Sequence, residues 1–513
     1  MSLSGAGVTA SQNNFNNLHS LLVSGLEFLE KKEYQKSQEN FKQVLQTIPN
    51  NPEVLNLLGI SYYEARDLQT ALQYLTQSIT LNPNNSKALY NHGLALYDLH
   101  RLDEAIASYS KAISLDPNYC DALSNRGAAL FELNQLEEAL IDLNKALTID
   151  SGHANAYLNR GNALQMMHLL DDALLSYRKA IEIEPNNAIA HWGYATTLLQ
   201  SGRYEEGFAE FEWRIKNPRL STLFTEKFNS PAWDGKESIE NKTILIHSEQ
   251  GYGDTIQFCR YIKKVIELGA KVLLTVEEPL VELLSTIEDI GRIYVKGSEP
   301  IPDYDYHCSI LSLPYVFRTS IESIPGGIPY LSADNQKRLA WKSKLGSKTK
   351  PRIGIVWAGG FRPNNPELHL VNSRRNIQLD KFSALKDLDI EIYSLQKGDE
   401  AEKELKEFQN NNELGTQILD YTRDLNNFSD TAALIENLDL VISVDTSTAH
   451  LAGSLGKPVW IINRYDNCWR WLLNRNDCPW YPSAKLFRQQ INGDWDEVME
   501  AVRSELIKKL QIN

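Results

Sequence analysis

A 34-residue step runs through the first two-fifths of the chain, and no other feature restricts the fold as strongly. Pro49, Pro83, Pro117 and Pro185 fall on it, with Ser151 in the vacant slot. Gly25, Gly59, Gly93, Gly127 and Gly161 keep the same step, as do Ser37, Ala71, Ala105, Ala139 and Ala173. So does the row Tyr34, Leu68, Leu102, Leu136, Leu170 and Tyr204. Four registers with one period describe a copied unit, a helix pair that buries its apolar face only by stacking on the next copy. Small residues in the Gly and Ala rows let the paired helices approach. Pro with Asn (Pro83-Asn84-Asn85, Pro185-Asn186-Asn187) ends the second helix before the next begins. After an arm of residues 1–17, five full copies are expected from about 18 to 187 and a sixth, altered copy from 188 to 216. There Ala195 takes the Gly slot, Gly207 takes the Ala slot, and the end reads Phe211-Glu212-Trp213-Arg214. A divergent last copy suits a junction with another domain, because its outer face no longer meets an identical copy.

The pattern resembles the tetratricopeptide repeat, which implies a superhelix whose concave face is a groove for extended peptide. Asn91, Asn125 and Asn159 each stand two residues before the periodic Gly, whereas the flanking copies carry Leu57 and Gly193. An Asn side chain donates and accepts, so a ladder of them holds a peptide backbone without reading its sequence. This resembles the asparagine ladder of the O-linked N-acetylglucosamine transferases and implies a bound protein or peptide. The competing reading is Asn tolerated at an exposed helical position.

At 513 residues the chain is long enough for three to four domains. Its 52 Lys and Arg against 66 Asp and Glu leave a net charge of −14, which argues against nucleic acid or an anionic membrane as the main partner. No apolar run reaches the roughly 18 residues of a membrane span. Met1 to Asn17 lacks the basic-then-apolar pattern of an export signal. Five cysteines without close pairs point to neither a zinc site nor a disulfide scaffold; Cys468 and Cys478 are too far apart for a zinc knuckle. A reduced, cytoplasmic setting without a bound metal is the expectation.

Composition changes where the repeats end: all ten tryptophans lie at or after Trp192. Residues 217–240, with Pro218, Asn229, Pro231 and Gly235, read as a linker. Strands are expected at Thr243 to His247, Lys271 to Val276, around Ile293 and at Tyr306 to Ile310, alternating with helical stretches. A second series covers Arg352 to Val356, Glu391 to Leu395, Leu440 to Val444 and Pro458 to Ile462, with a helix from Thr448 to Leu455. The expected architecture is therefore α followed by α/β, a repeat superhelix and then two Rossmann-like lobes. The first lobe spans 241–335 and the second 351–492, with a polar, Lys-rich linker at 336–350 and a terminal helix in 493–513. A cleft between such lobes is the default ligand site.

Asp445-Thr446-Ser447-Thr448-Ala449-His450 follows an apolar strand and opens a helix. Hydroxyls and free N–H groups there suit an anion, with His450 adding a hydrogen bond; plain N-capping by Ser447 or Thr448 is the alternative. Asp445-Thr446 with His450, Ala452 and Gly456-Lys457-Pro458 is similar to the C-terminal motif of the ADP-heptose-type glycosyltransferases (glycosyltransferase family 9-like). Gly253-Asp254 resembles that family's N-terminal Gly-Asp pair. The run Ser248 to Phe258 is similar to bacterial tetratricopeptide proteins fused to such a domain. The resemblance implies a GT-B fold, metal-independent sugar transfer, and a nucleotide-sugar donor held mainly by the second lobe, with no other cofactor.

Carried over, Asp254 takes the place of the catalytic base, a carboxylate able to accept the acceptor hydroxyl proton. A structural Asp capping its own helix competes with that reading, and His247 at the end of the first strand is the other candidate base. A nucleoside diphosphate leaving group calls for donors and cations. Arg374 and Arg375, in Ser373-Arg374-Arg375-Asn376, supply a basic spot beyond Gly359. Arg375 falls where the family carries a phosphate-binding Lys, with Phe382 as the following aromatic. A planar fork there replaces a point charge. Lys397 is a second phosphate candidate and Gln396 a candidate for base or ribose. Trp469, Trp471 and Trp480 with Arg464, Asp466 and Arg470 either wall the ligand or anchor the terminal helix against the first lobe.

Two departures count. The first lobe is shorter than the family's, which shifts acceptor recognition toward the repeats, and Ser447 stands where Gly is usual. The leading hypothesis is sugar transfer to a hydroxyl of a protein or peptide held by the repeats. A non-catalytic adaptor with a degenerate GT-B platform is the second. The third is a transferase for lipid-linked or polysaccharide acceptors whose repeats serve homo-oligomerisation.

Overall fold

The 34-residue step reappears as a periodic turn. In a computed structural model describing residues 5–224, 226–360, 374–411 and 417–510, Lys32, Arg66, His100, Asn134 and His168 all have φ between 55° and 65°. Each stops the first helix of a hairpin: the N–H of Asp67 reaches back to the carbonyl of Tyr62 at 3.0 Å, and Arg101, Gln135 and Leu169 repeat the bond. That is a left-handed helix stop, and its recurrence makes every hairpin the same shape.

The chain divides into two compact units, Met1–Gly193 and Tyr194–Asn513. The first holds five hairpins: Gly5–Glu30 with Tyr34–Thr47, Pro52–Glu64 with Leu68–Leu81, Ser86–Asp98 with Leu102–Leu115, Cys120–Glu132 with Leu136–Ile149, and Ala154–Met166 with Leu170–Ile183. The first helix begins at Gly5, inside the stretch expected to be an arm. Helix starts follow the Asn of the Pro-Asn turns, since the Asn51 and Asn85 side chains accept first-turn N–H groups. The Gly row has a steric cause. A Cβ on Gly25, Gly59, Gly93, Gly127 or Gly161 would come within 2.5–2.7 Å of Phe41, Leu75, Tyr109, Leu143 or Tyr177 on the partner helix.

The unit boundary falls inside helix Ala188–Gln200, so most of the sixth copy belongs to the second unit. Its second helix, Tyr204–Phe211, packs on the α/β region: Tyr204 stacks on Trp480 and its hydroxyl accepts the indole N–H at 3.0 Å. Phe208 meets Trp469 edge-on. Arg214 is fully buried and donates to Glu249 at 2.8 and 2.9 Å and to Ser312 at 2.7 Å, with Glu212 as its other partner.

Two parallel sheets follow. The first contains β1 (Thr243–His247), β2 (Lys271–Val276), β3 (Ile293–Val295) and β4 (Tyr306–Ser309) in the order β3-β2-β1-β4. The second contains β5 (Arg352–Val356), β6 (Glu391–Ser394), β7 (Ile418–Asp420), β8 (Leu440–Ser443), β9 (Val459–Asn463) and β10 (Ala484–Arg488) in the order β10-β9-β8-β5-β6-β7. The fold is thus a tetratricopeptide array followed by two α/β lobes of GT-B type. The edge strands β7 and β10 were not legible in advance: one is three residues long and the other carries Lys485 and Arg488.

Two expectations need correction. The segment 336–350 is not a plain linker. Asn335–Leu345 is a helix capped by Asp334, with Trp341 buried and Lys337 paired to both Glu282 and Asp430. The terminal helix, Asp496–Leu510, does not meet the first lobe through the Trp469–Trp480 stretch. Its Val498, Met499, Val502 and Leu506 share a core with Ile355, Trp357 and Phe382 of the second lobe, because those apolar positions form one face of the helix. No described helix is long and apolar enough to cross a membrane.

Candidate functional site

In a doubly wound parallel sheet the crevice opens at the carboxyl ends of the strands where the winding reverses. In the first sheet that point is β1 beside β4, and the chain leaving β1 runs through Ser248 to Asp254. In the second it is β5 beside β8, and the chain leaving them supplies Trp357 to Gly360 and Val444 to Ser447. The two crevices adjoin. Helix Tyr252–Phe258 packs on helix Ser447–Ser454, so closely that a Cβ on Gly253 would sit 2.9 Å from His450 Cδ2 and 3.4 Å from Ser447 Cα.

Asp254 lies at this meeting point with its side chain 18% exposed. One oxygen accepts the Gly251 N–H at 2.9 Å, which caps the helix, and the other accepts the Arg470 guanidinium. Burial raises its pKa, Arg470 and the Gly251 N–H pull it down, and the Asp445 and Glu249 carboxylates push it up; the balance is upward. Asp254 is therefore a helix cap, and also a carboxylate poised above its ordinary range.

On the opposite side, Thr446 begins helix Ser447–Ser454 and no side chain caps it, since the Thr446 hydroxyl pairs with Ser443 at 2.8 Å. His450 is buried, its Nδ1 2.8 Å from the Tyr481 hydroxyl and its ring stacked on Trp471 at 5.3 Å. Its Nε2 lies 3.8 Å from Asp445, and burial pushes its pKa down to about 3, leaving a neutral ring. Arg375 donates to the Asp445 carbonyl at 3.1 Å. Its guanidinium lies over Gly359, where a Cβ would fall 1.8 Å from Nη2. Only glycine admits the cation there. Asn376 holds the Gly359 N–H at 2.9 Å.

The fold thus gathers Gly253, Asp254, Gly359, Arg375, Asp445, Thr446, Ser447, Thr448 and His450 at one junction. The other candidates lie around its edge. Arg374 pairs with Asp466 at 3.4 Å. Gln396 is buried and accepts the N–H groups of Trp357 and Ala358, so it shapes the end of β5. Lys397 is exposed and donates to the Thr422 carbonyl at 2.9 Å. Ser373 and residues 361–372 lie outside the described residues. His247 belongs to a separate stack, its ring 4.3 Å from Phe228 and its Nε2 3.3 Å from His307 Nδ1. Burial and His307 lower its pKa to about 3.

In the repeats, each ladder Asn ties one copy to the preceding one. Asn91 donates to Asn56 at 3.0 Å, Asn125 to the Tyr90 hydroxyl at 3.0 Å, and Asn159 to Ser124 at 3.4 Å. All three are half-buried, so none is a purely solvated helix position.

Sequence reasoning left two residues without a role here. Arg470 appeared only as part of an aromatic stretch, and Glu249 only as part of a motif. A buried-charge partner distant in sequence has no local periodicity to betray it. The aromatic stretch itself is core: Trp469 and Trp480 pack with Tyr204, Phe208 and Phe258.

Comparison with known proteins agrees with the repeat assignment. A model of the TPR repeat matches residues 93–134 and again 127–167, and one of the tetratricopeptide repeat matches 154–187. The model of anaphase-promoting complex, cyclosome, subunit 3 matches residues 30–112. The helical hairpins are tetratricopeptide repeats. Protein FlbA of Caulobacter vibrioides is 29% identical over 339 residues, 61% of this chain. The chain spans about half, 54%, of that relative's length. Among solved structures, MamA is 26% identical, covering 34% of this chain and 94% of its own at a TM-score of 0.30. The tetratricopeptide protein TTC0263 of Thermus thermophilus is 22% identical, covering 36% and 99% at 0.32.

Proposed function

We propose that the second unit is a glycosyltransferase that moves a sugar from a nucleotide-sugar to a hydroxyl of a protein or peptide recruited by the repeats. The reading is carried by one observation: two switch-point crevices adjoin, with a carboxylate on one side and an uncapped helix N-terminus beside Arg375 on the other. In this scheme the acceptor hydroxyl gives its proton to Asp254 as its oxygen bonds to the anomeric carbon. The bond from that carbon to the diphosphate breaks, and the released negative charge meets Arg375 and the first-turn N–H groups of Ser447 and Thr448. Arg374 and Lys397 add positive charge at the rim, and Gln396 keeps the β5 end in shape. His450, neutral and buried, braces the helix. Asn91, Asn125 and Asn159 line the peptide path. Tetratricopeptide repeats are a protein-binding architecture, which supports a proteinaceous acceptor.

The test starts with thermal-shift screening of UDP, GDP, ADP and TDP sugars, followed by mass spectrometry of co-expressed proteins for an added hexose or heptose. Asp254→Ala is expected to abolish transfer while retaining nucleotide binding, and Arg375→Ala and Lys397→Ala to weaken nucleoside diphosphate binding in calorimetry. Wild-type transfer by Asp254→Ala rejects the base. No shift with any nucleotide favours the adaptor.

A further inference from the structure

Arg470 sits on the short 3-10 turn Trp469–Trp471 of the second lobe, yet its charge is directed at the first. Its Nη2 donates to Asp254, its Nε to Gln257 Oε1 at 2.7 Å, and its Nη1 lies 3.1 Å from Cys468 Sγ. Asp254 and Gln257 are three residues apart on helix Tyr252–Phe258, so the guanidinium grips one face of that helix. Its Cζ lies 4.4 Å from the Trp469 ring centroid and 5.9 Å from that of Phe258. Arg470 itself is 8% exposed. A charge is buried this deeply only when it is paired, and this one is paired across the lobe junction.

Resting on the transferase reading above, we infer that Arg470 is a positioning residue that holds the Asp254 carboxylate charged and aimed, and that it can do so only with the two lobes together. The reason is electrostatic. Among the described residues the charged and polar groups acting on Asp254 are Arg470, the Asp445 and Glu249 carboxylates, and the Gly251 N–H, while His450 beside Gly253 is neutral. Burial and the two carboxylates favour the protonated acid, which cannot accept a proton. Arg470 is the cation opposing them. When the lobes part, Asp254 loses that partner along with its low-dielectric surroundings. The junction that assembles the site therefore also sets the state of its base. Lysine is a poor substitute, since a point charge cannot serve Asp254 and Gln257 with one rigid fork.

The experiment uses the full chain as wild type, Arg470→Lys, Arg470→Met, Asp254→Asn and the Met/Asn double variant. The first readout is thermal unfolding at pH 5 and pH 8. Arg470→Met removes the downward pull on Asp254, so its carboxyl titrates at higher pH. A folded pKa above the unfolded value contributes stability at low pH that is lost as pH rises through it. The melting deficit of Arg470→Met should accordingly be larger at pH 8 than at pH 5. The double variant, with neither charge stranded, should lose less than the summed single losses at pH 8. Additive deficits that do not change with pH overturn the inference and reduce Arg470 to packing.

The second readout is the pH profile of kcat with the sugar nucleotide found in the screen. The acid limb should move upward in Arg470→Met and partway in Arg470→Lys, with KM for the donor within about threefold of wild type. An unmoved limb, or a loss confined to KM, overturns the positioning role. A wild type without turnover rejects the transferase reading, and the unfolding cycle then decides Arg470 alone.

Discussion

Gly253→Ala tests the lobe junction with one methyl group. The added Cβ would lie 2.9 Å from His450 Cδ2 and 3.4 Å from Ser447 Cα. Carbon atoms rest about 3.5–4.0 Å apart, so the closer contact must open by about 0.6 Å or more. His450 cannot swing away cheaply, because Tyr481 bonds its Nδ1 and Trp471 stacks on its ring. Ser447 Cα is backbone and moves only with its helix. Overpacking of this kind costs about 1–3 kcal/mol, against which alanine in a helix returns at most about 1 kcal/mol over glycine. The expected outcome is a net loss of about 1 kcal/mol, rising for Gly253→Val. Nucleotide binding should also weaken, as the helix Ser447–Ser454 shifts relative to Arg375. Denaturant unfolding followed by tryptophan fluorescence is the assay, since nine of the ten tryptophans lie in the second unit. Stability and nucleotide affinity equal to wild type in both variants would refute the close approach, and with it the shared site.

Arg214→Met strands the buried Glu249 carboxylate and should cost about 3–5 kcal/mol, most of it recovered by adding Glu249→Gln; denaturant titrations of the wild type, the single and the double variant give the comparison. Burial pushes the Glu249 pKa up, but Arg214 and Ser309 more than offset it, so the folded value is depressed. Its contribution is then present above the unfolded value, near about 4.3, and lost as pH falls through the folded one, so the wild type should lose more stability than the double variant on acidification. In the repeats, Gly93→Ala places a Cβ 2.5 Å from the buried Tyr109 ring. Hydrogen exchange should rise in helices Ser86–Asp98 and Leu102–Leu115, and unchanged protection there would refute the Gly row as a packing device.

What was legible in the chain was whatever has a short period. The repeats announced themselves because one glycine per copy must face one large side chain, and one left-handed turn per copy must stop a helix. Eight of the strands were legible because buried parallel strands read as apolar runs. β7 escaped because it is three residues long with one fully buried position, and β10 because Lys485 and Arg488 interrupt its apolar pattern. The helix Asn335–Leu345 was mistaken for a linker because its polar face dominates its composition, while its one buried aromatic, Trp341, is a single residue.

The site divides along the same line. Asp445 and His450 could be singled out because they follow an apolar strand and open a helix, and Asp254 and Arg375 because their motifs resemble those of a known family. The partners that govern them could not. Arg470 lies 216 residues from Asp254, and Tyr481 lies 31 from His450. The chain alone determined the repeats and where eight of the strands fall along it, because local sterics and periodic burial act over a few residues. Only the tertiary structure decided which charges meet in the interior and which helix, Tyr204–Phe211, joins the α/β unit. Those outcomes depend on pairing buried groups across long stretches of chain, and the penalty for leaving a charge alone carries no imprint in the neighbouring residues.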